Sequence, residues 1–206
     1  MQERFEKQAA IRAMRLFKSF IRHSDLKEKI NGSNRTLVIL AVLAYFGDCS
    51  KTKLYKAIPV SSMDAAIEEL ISLGYINKKK DGKEVRYMIA EHPDFVAENI
   101  EYSYESAFLF ANALMNINLW FKNYRITSWN TITLMLEVAL KYEFTKGTVE
   151  LTDKTIDSIV GNLANVLSTR KAIERMGVIK CTHVRSGRSV GSEFKVNRRA
   201  YIIEAK

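Results

Sequence analysis

Residues 66–90 read AIEELISLGYINKKKDGKEVRYMIA, and their periodicity changes once, sharply, at a glycine. Ahead of Gly74, Ile67, Leu70 and Ile71 recur at helical spacing, and Met63 extends the same face. Beyond it come two strand-like runs, 75–79 and 84–89, around Lys80-Asp81-Gly82-Lys83. Asp-Gly between such runs is the strongest short-range signal for a β-hairpin. The helix before the hairpin is expected to start near Ser61, with Asp64 three residues on in capping-box position. Upstream, Pro59 stops a short helix that Ser50 can cap. Before that, Asn34 can cap a helix running to Phe46, ended by Gly47. Leu37, Ile39, Leu40, Val42, Leu43, Tyr45 and Phe46 leave that helix almost no polar side, so it should be central and buried.

Helix, short helix, helix, hairpin is the order of a winged helix-turn-helix domain, and residues 66–90 resemble that family closely: the apolar helix end, the Leu73-Gly74-Tyr75-Ile76 step and the charged hairpin tip all fall where the family has them. The plan returns near the C-terminus. Residues 127–144 form a strongly apolar helix broken by Gly147, 149–151 a short strand, and Thr152 or Asp153 caps a helix through Val160. A further helix spans 163–176, followed by a strand over 178–184, a Gly/Ser/Arg loop over 185–192 and a returning strand over 193–196. IERMGVIK at 173–180 echoes LISLGYINK at 70–78, and Gly74 and Gly177 stand 103 residues apart. The expected fold is mainly α with small β-hairpins (α+β): tandem winged-helix domains at 31–92 and 127–206, joined by a helical segment over 93–126 and preceded by an amphipathic helix over 1–30.

Two segments outside the copies leave their roles open. In 1–22, Ala10, Ala13, Met14, Phe17 and Ile21 make one face, and Arg4, Lys7, Arg15, Lys18 and Arg22 another. That pattern suits an arm on nucleic-acid phosphates, or a helix docked on the protein with a solvated basic side. In 93–126, Phe108, Leu114, Ile117, Trp120 and Phe121 present too much apolar surface for a free linker. They suit a homodimer interface, or a spacer helix packed within the chain.

Catalytic chemistry has no recognisable carrier. There is no phosphate-binding Gly-Lys loop, no dinucleotide fingerprint, no nucleophile elbow and no metalloprotease helix motif. Three His and 2 Cys, far apart, offer no metal-ligand spacing, so neither metal nor cofactor is expected, and the protein is not expected to be an enzyme. Cys49 and Cys181 read as inert thiols, and His92 beside Glu91 and Asp94 as a surface patch. So few cysteines fit a reducing, cytoplasmic setting. The longest apolar run, ten residues at 37–46, is too short to span a bilayer.

The informative quantity is charge. The chain carries +9, and the excess is bimodal: +4 over 1–30, +2 over 31–92, −2 over 93–126 and +5 over 127–206. Residues 168–199 hold nine basic side chains against Glu174 and Glu193. Such a concentration points to a polyanionic partner, here double-stranded DNA. In the winged-helix family the third helix enters the major groove and the wing touches backbone or minor groove. In the second copy that resemblance assigns Asn165, Ser168, Thr169, Lys171 and Arg175 to the reading helix, with Arg170 too near its core side unless the helix begins at Ser168. Arg185 and Arg188 fall on the wing among glycines, and Lys195, Arg198 and Arg199 follow. The first copy is expected to add backbone contacts through Lys78, Lys79, Lys80, Lys83 and Arg86, while Asp64, Glu68 and Glu69 on its third helix would repel phosphate. The family implies a transcriptional regulator or a replication-initiator-like DNA binder. The alternative is a protein–protein interaction subunit of a larger assembly, contacting its partner through the first domain.

Overall fold

Asn34–Phe46 and Trp129–Leu140 are buried along nearly their whole length. A helix apolar on every side needs partners all round it, and the chain provides them twice. The computed structural model describes residues 6–31, 33–59, 63–95, 100–124, 126, 128–143, 145–161, 163–175, 179–186 and 189–201. They form two units, Met1–Glu101 and Tyr102–Lys206.

In the first unit, α1 (Lys7–Arg22) and α2 (Ser24–Lys29) precede α3 (Asn34–Phe46). The hydroxyl of Ser33 accepts from the Thr36 backbone N–H at 3.2 Å, so the cap lies one residue before Asn34. Ala10, Ala13, Met14 and Phe17 of α1 are fully buried against α3. The basic side of α1 is partly spent inside the unit: Arg12 Nε donates to Ala44 O at 2.8 Å, Arg15 Nη2 to Ile100 O at 3.5 Å, and Lys18 is buried. α1 is therefore a docked helix of the first unit, the second of the two readings its pattern allows. Next come β1 (Cys49–Ser50), α4 (Lys51–Ala57, capped by Ser50), α5 (Met63–Ser72), β2 (Ile76–Asp81) and β3 (Glu84–Ile89). The strands form an antiparallel sheet in the order β1-β3-β2, and its turn holds Gly82 at φ +58°.

The second unit begins with α6 (Tyr104–Tyr124), packed on α7 (Trp129–Leu140). β4 (Thr148–Thr152), α8 (Asp153–Val160), α9 (Leu163–Arg175), β5 (Ile179–Ser186), β6 (Ser189–Val196) and α10 (Arg198–Tyr201) follow. This sheet is also antiparallel, in the order β4-β6-β5. Its hairpin is longer than expected, because β5 and β6 consume most of the anticipated 185–192 loop.

The 93–126 segment is not a connector. α6 lies wholly in the second unit, where it stands to α7 as α1 stands to α3. Leu114, Ile117 and Trp120, expected at a dimer interface, are fully buried within this one chain. Trp120 meets Tyr201 edge-on at 5.5 Å, Asn116 Nδ2 donates to Tyr201 O at 2.9 Å, and the Tyr201 hydroxyl donates to Met135 O at 3.1 Å. Phe108 stacks on Tyr104 and Phe121 packs against Trp129, both half-buried. α7 and α10 cover the Leu114–Ile117–Trp120 side of α6, while Tyr104 and Tyr124 at its ends stay exposed. The repeated element is thus a covering helix, an apolar helix, a strand, two helices and a hairpin.

Candidate nucleic-acid interface

α9 is positioned from its inner side. Thr152 caps α8 by accepting from the Thr155 backbone N–H at 3.3 Å, Gly161 at φ +90° ends it, and α9 starts afresh at Leu163. Val166, Thr169 and Ile173 point inward, and α9 packs on α7, α8 and β5. Thr169 is therefore a core residue and not a groove contact. Arg170 is also withdrawn from solvent: its side chain is 15% exposed and Nη2 lies 3.5 Å from Asp153 Oδ1. It works as a strut to the N-terminus of α8, and the later helix start at Ser168 is not adopted.

The opposite side of α9 carries Leu167, Ser168, Lys171, Glu174 and Arg175, all exposed. Ser168 Oγ donates to Asn165 O at 3.0 Å and Arg175 Nε to Lys171 O at 3.2 Å, both contacts with backbone oxygens of the same helix. Among the described residues neither Lys171 nor Arg175 has an ion-pair partner. Asn165, also exposed, donates to Val160 O at 3.2 Å and so closes the C-terminal end of α8. Lys195 is exposed on β6 and Arg198 at the start of α10. Arg185 sits on β5 opposite Val190, but its side chain, like that of Arg199, lies outside the description, and Arg188 lies outside the described residues. Gly191 fixes where β4 meets the β5–β6 hairpin: a Cβ there would stand 2.5 Å from Leu151 O, so only glycine lets β4 approach β6.

The first unit places its charges differently. Asp64 on α5 accepts from the Tyr55 hydroxyl at 2.5 Å and from Lys51 at 3.1 Å, and the Tyr55 bond first, then Lys51, hold its carboxyl below the usual range. Glu68 pairs with Lys78 at 3.0 Å and keeps that ammonium more firmly protonated. Glu69 accepts from Asn31 at 2.5 Å and Thr36 at 3.1 Å. On the β2–β3 hairpin, Arg86 is engaged by Asp48 at 2.8 Å and Glu84 at 3.2 Å. Lys79, Lys80 and Lys83 are exposed, with no ion pair among the described residues.

The His92 region is more than a surface patch. Asp94 accepts from Lys29 and from the Tyr75 hydroxyl, each at 2.8 Å, and these bonds lower its carboxyl pKa, that to Lys29 most. His92 Nδ1 accepts from the Asp94 backbone N–H, and Phe20, Tyr75, His92 and Phe95 cluster around it. This clamp ties the chain after β3 to α1 and α2. Its signal was present, since aromatics at 75 and 95 flank a hydrogen-bonding pair, but nothing local revealed the partner Lys29.

Among the described residues no group of three His, Cys, Asp or Glu side chains comes together, and no helix is long and apolar enough to cross a membrane. Leu167, passed over in the sequence, emerges on the exposed side of α9 because the inner face is set by Val166, Thr169 and Ile173. No family model, curated protein or solved structure matches the chain.

Proposed function

We propose that the protein binds double-stranded DNA through two tandem winged-helix units and acts as a transcriptional regulator, with α9 and the β5–β6 wing as its main reading surface. The observation that carries this reading is the exposed side of α9, where Lys171 and Arg175 stand beside Ser168 without ion-pair partners among the described residues. Cations on a helix held by its other face suit guanine edges and phosphates in a major groove. The +9 charge and its concentration over 168–199 support the same partner. The first unit contributes backbone contacts through Lys79, Lys80 and Lys83, and α5 stays out of the groove because the carboxylates of Asp64 and Glu68 are exposed there.

Selection of bound sequences from a random duplex pool, with affinities measured at several salt concentrations, tests this reading. Roughly five cationic contacts give a log–log salt slope near −4 to −5. A flat slope, or no duplex bound at low salt, favours the protein-binding alternative.

A further inference from the structure

We infer that Leu167 makes α9 a reader of thymine, by apolar contact with the 5-methyl group in the major groove. The inference rests on the DNA-binding reading above and names what that surface recognises. Leu167 is 51% exposed, one of four large apolar side chains so exposed among the described residues. The other three, Met88, Tyr104 and Tyr124, lie on β3 and at the two ends of α6. Leu167 alone stands on the helix side that carries Lys171, Ser168 and Arg175.

Its exposure is built in. Val166, Thr169 and Ile173 fix the inner face of α9, and the Arg170–Asp153 contact pins the helix flank. At about 100° per residue, position 167 then points away from the core and cannot roll inward without exposing them. Lys171 follows one turn on, about 6 Å along the helix axis, roughly two base-pair steps of duplex. Thymine is the base that offers an apolar group on the major-groove edge, and leucine can neither donate nor accept a hydrogen bond there. A lysine one turn away suits the O6 and N7 acceptors of guanine. The surface so described takes a duplex carrying a thymine about two steps from a guanine.

The test uses the full chain and the duplex recovered by selection. Each thymine is replaced in turn by deoxyuridine, which removes one methyl and leaves the protein unaltered. At one position the wild type should lose about fourfold in affinity, the worth of one buried methyl or methylene group. Leu167→Ala should bind the thymine duplex more weakly, and should lose nothing further when that same thymine becomes deoxyuridine. Insensitivity to every thymine methyl overturns the inference while leaving DNA binding intact. So does an additive loss in the variant. Failure of the wild type to bind any duplex removes the functional reading itself. Should selective binding persist with no methyl effect while Leu167→Ala changes the oligomeric state, Leu167 serves a protein contact and the inference is wrong.

Discussion

α5 and α9 hold the same place in two copies of one element order, yet they solve opposite electrostatic problems. α5 answers its own charges: Asp64 is met by Tyr55 and Lys51, Glu68 by Lys78, and Glu69 by Asn31 and Thr36. α9 engages one cation, Arg170 with Asp153, and leaves Lys171 and Arg175 outward. A helix whose charges are met within its own unit gains little from a new charged partner, because existing contacts must break first. A helix whose exposed cations have no ion-pair partner among the described residues has fewer charged contacts to break. The difference lies in side chains, and shared topology by itself does not imply shared function.

The largest expected effect tests the covering helices. Trp120→Ala should cost about 3–5 kcal/mol, because a fully buried indole leaves a large cavity beside Tyr201. Denaturant midpoints should fall equally at low and high protein concentration. A concentration-dependent loss would return Trp120 to a dimer interface and break the likeness of α6 to α1.

Next is the exposed side of α9. Lys171→Ala and Arg175→Ala should each cost about 1–3 kcal/mol of duplex affinity where the residue contacts a base, with relaxed sequence preference. Titration of one labelled duplex measures both, with circular dichroism confirming the fold.

A smaller effect separates the units by acid. Asp94 is held below the ordinary carboxylate pKa in the folded protein. A depressed carboxylate adds stability above its unfolded pKa of about 3.9, and that stability is lost as pH falls through the folded value. Asp94→Asn should therefore destabilise by about 1–2 kcal/mol at neutral pH, discounted for the half-exposed Lys29. The gap to wild type should close below about pH 4. A gap that is constant with pH would remove the charged role of Asp94.

The first wing should matter less. Replacing Lys78, Lys79 and Lys80 together by Ala should weaken duplex binding only a few-fold and flatten the salt slope by less than about 0.9 for each residue, since Lys78 already answers Glu68. A loss larger than that of the Lys171/Arg175 pair would move the reading surface to the first unit. Smallest of all, Glu68→Gln should raise duplex affinity slightly by removing a negative charge beside that wing. A decrease would mean that the Glu68–Lys78 pair shapes the wing.

Much of the fold was legible in residues that punctuate the chain. Asp81-Gly82 marked the first turn, Ser50 and Thr152 marked helix starts, and Gly47 an end. Those signals are local, carried by a hydroxyl or a positive φ within a few residues. The covering helices were misjudged because periodicity identifies an apolar face and not the surface that meets it. The pattern of α1 suits an arm as well as a docked helix, and that of α6 a dimer interface as well as a spacer, because the partner surface lies elsewhere in the chain. The site was legible in composition and blurred in register. Thr169 and Arg170 sit at the edge of the inner arc, and one contact with Asp153, 17 residues away, decides Arg170. Leu167 escaped notice because an exposed leucine has no local signal. It is defined by what its neighbours bury.

In each unit the covering helix comes before the apolar helix it covers, and this order bears on synthesis. As α3 leaves the ribosome its partner α1 is already available, and the same holds for α7 and α6. N-terminal domains generally fold first during translation, and the contacts of the first unit close by Glu101. Stalled chains long enough to expose 1–101 should therefore resist protease there, while chains stalled before β3 emerges, which lack the central strand of the sheet, should not. A chain laid down in this sequence gives each of its two most buried helices a covering partner as soon as it appears.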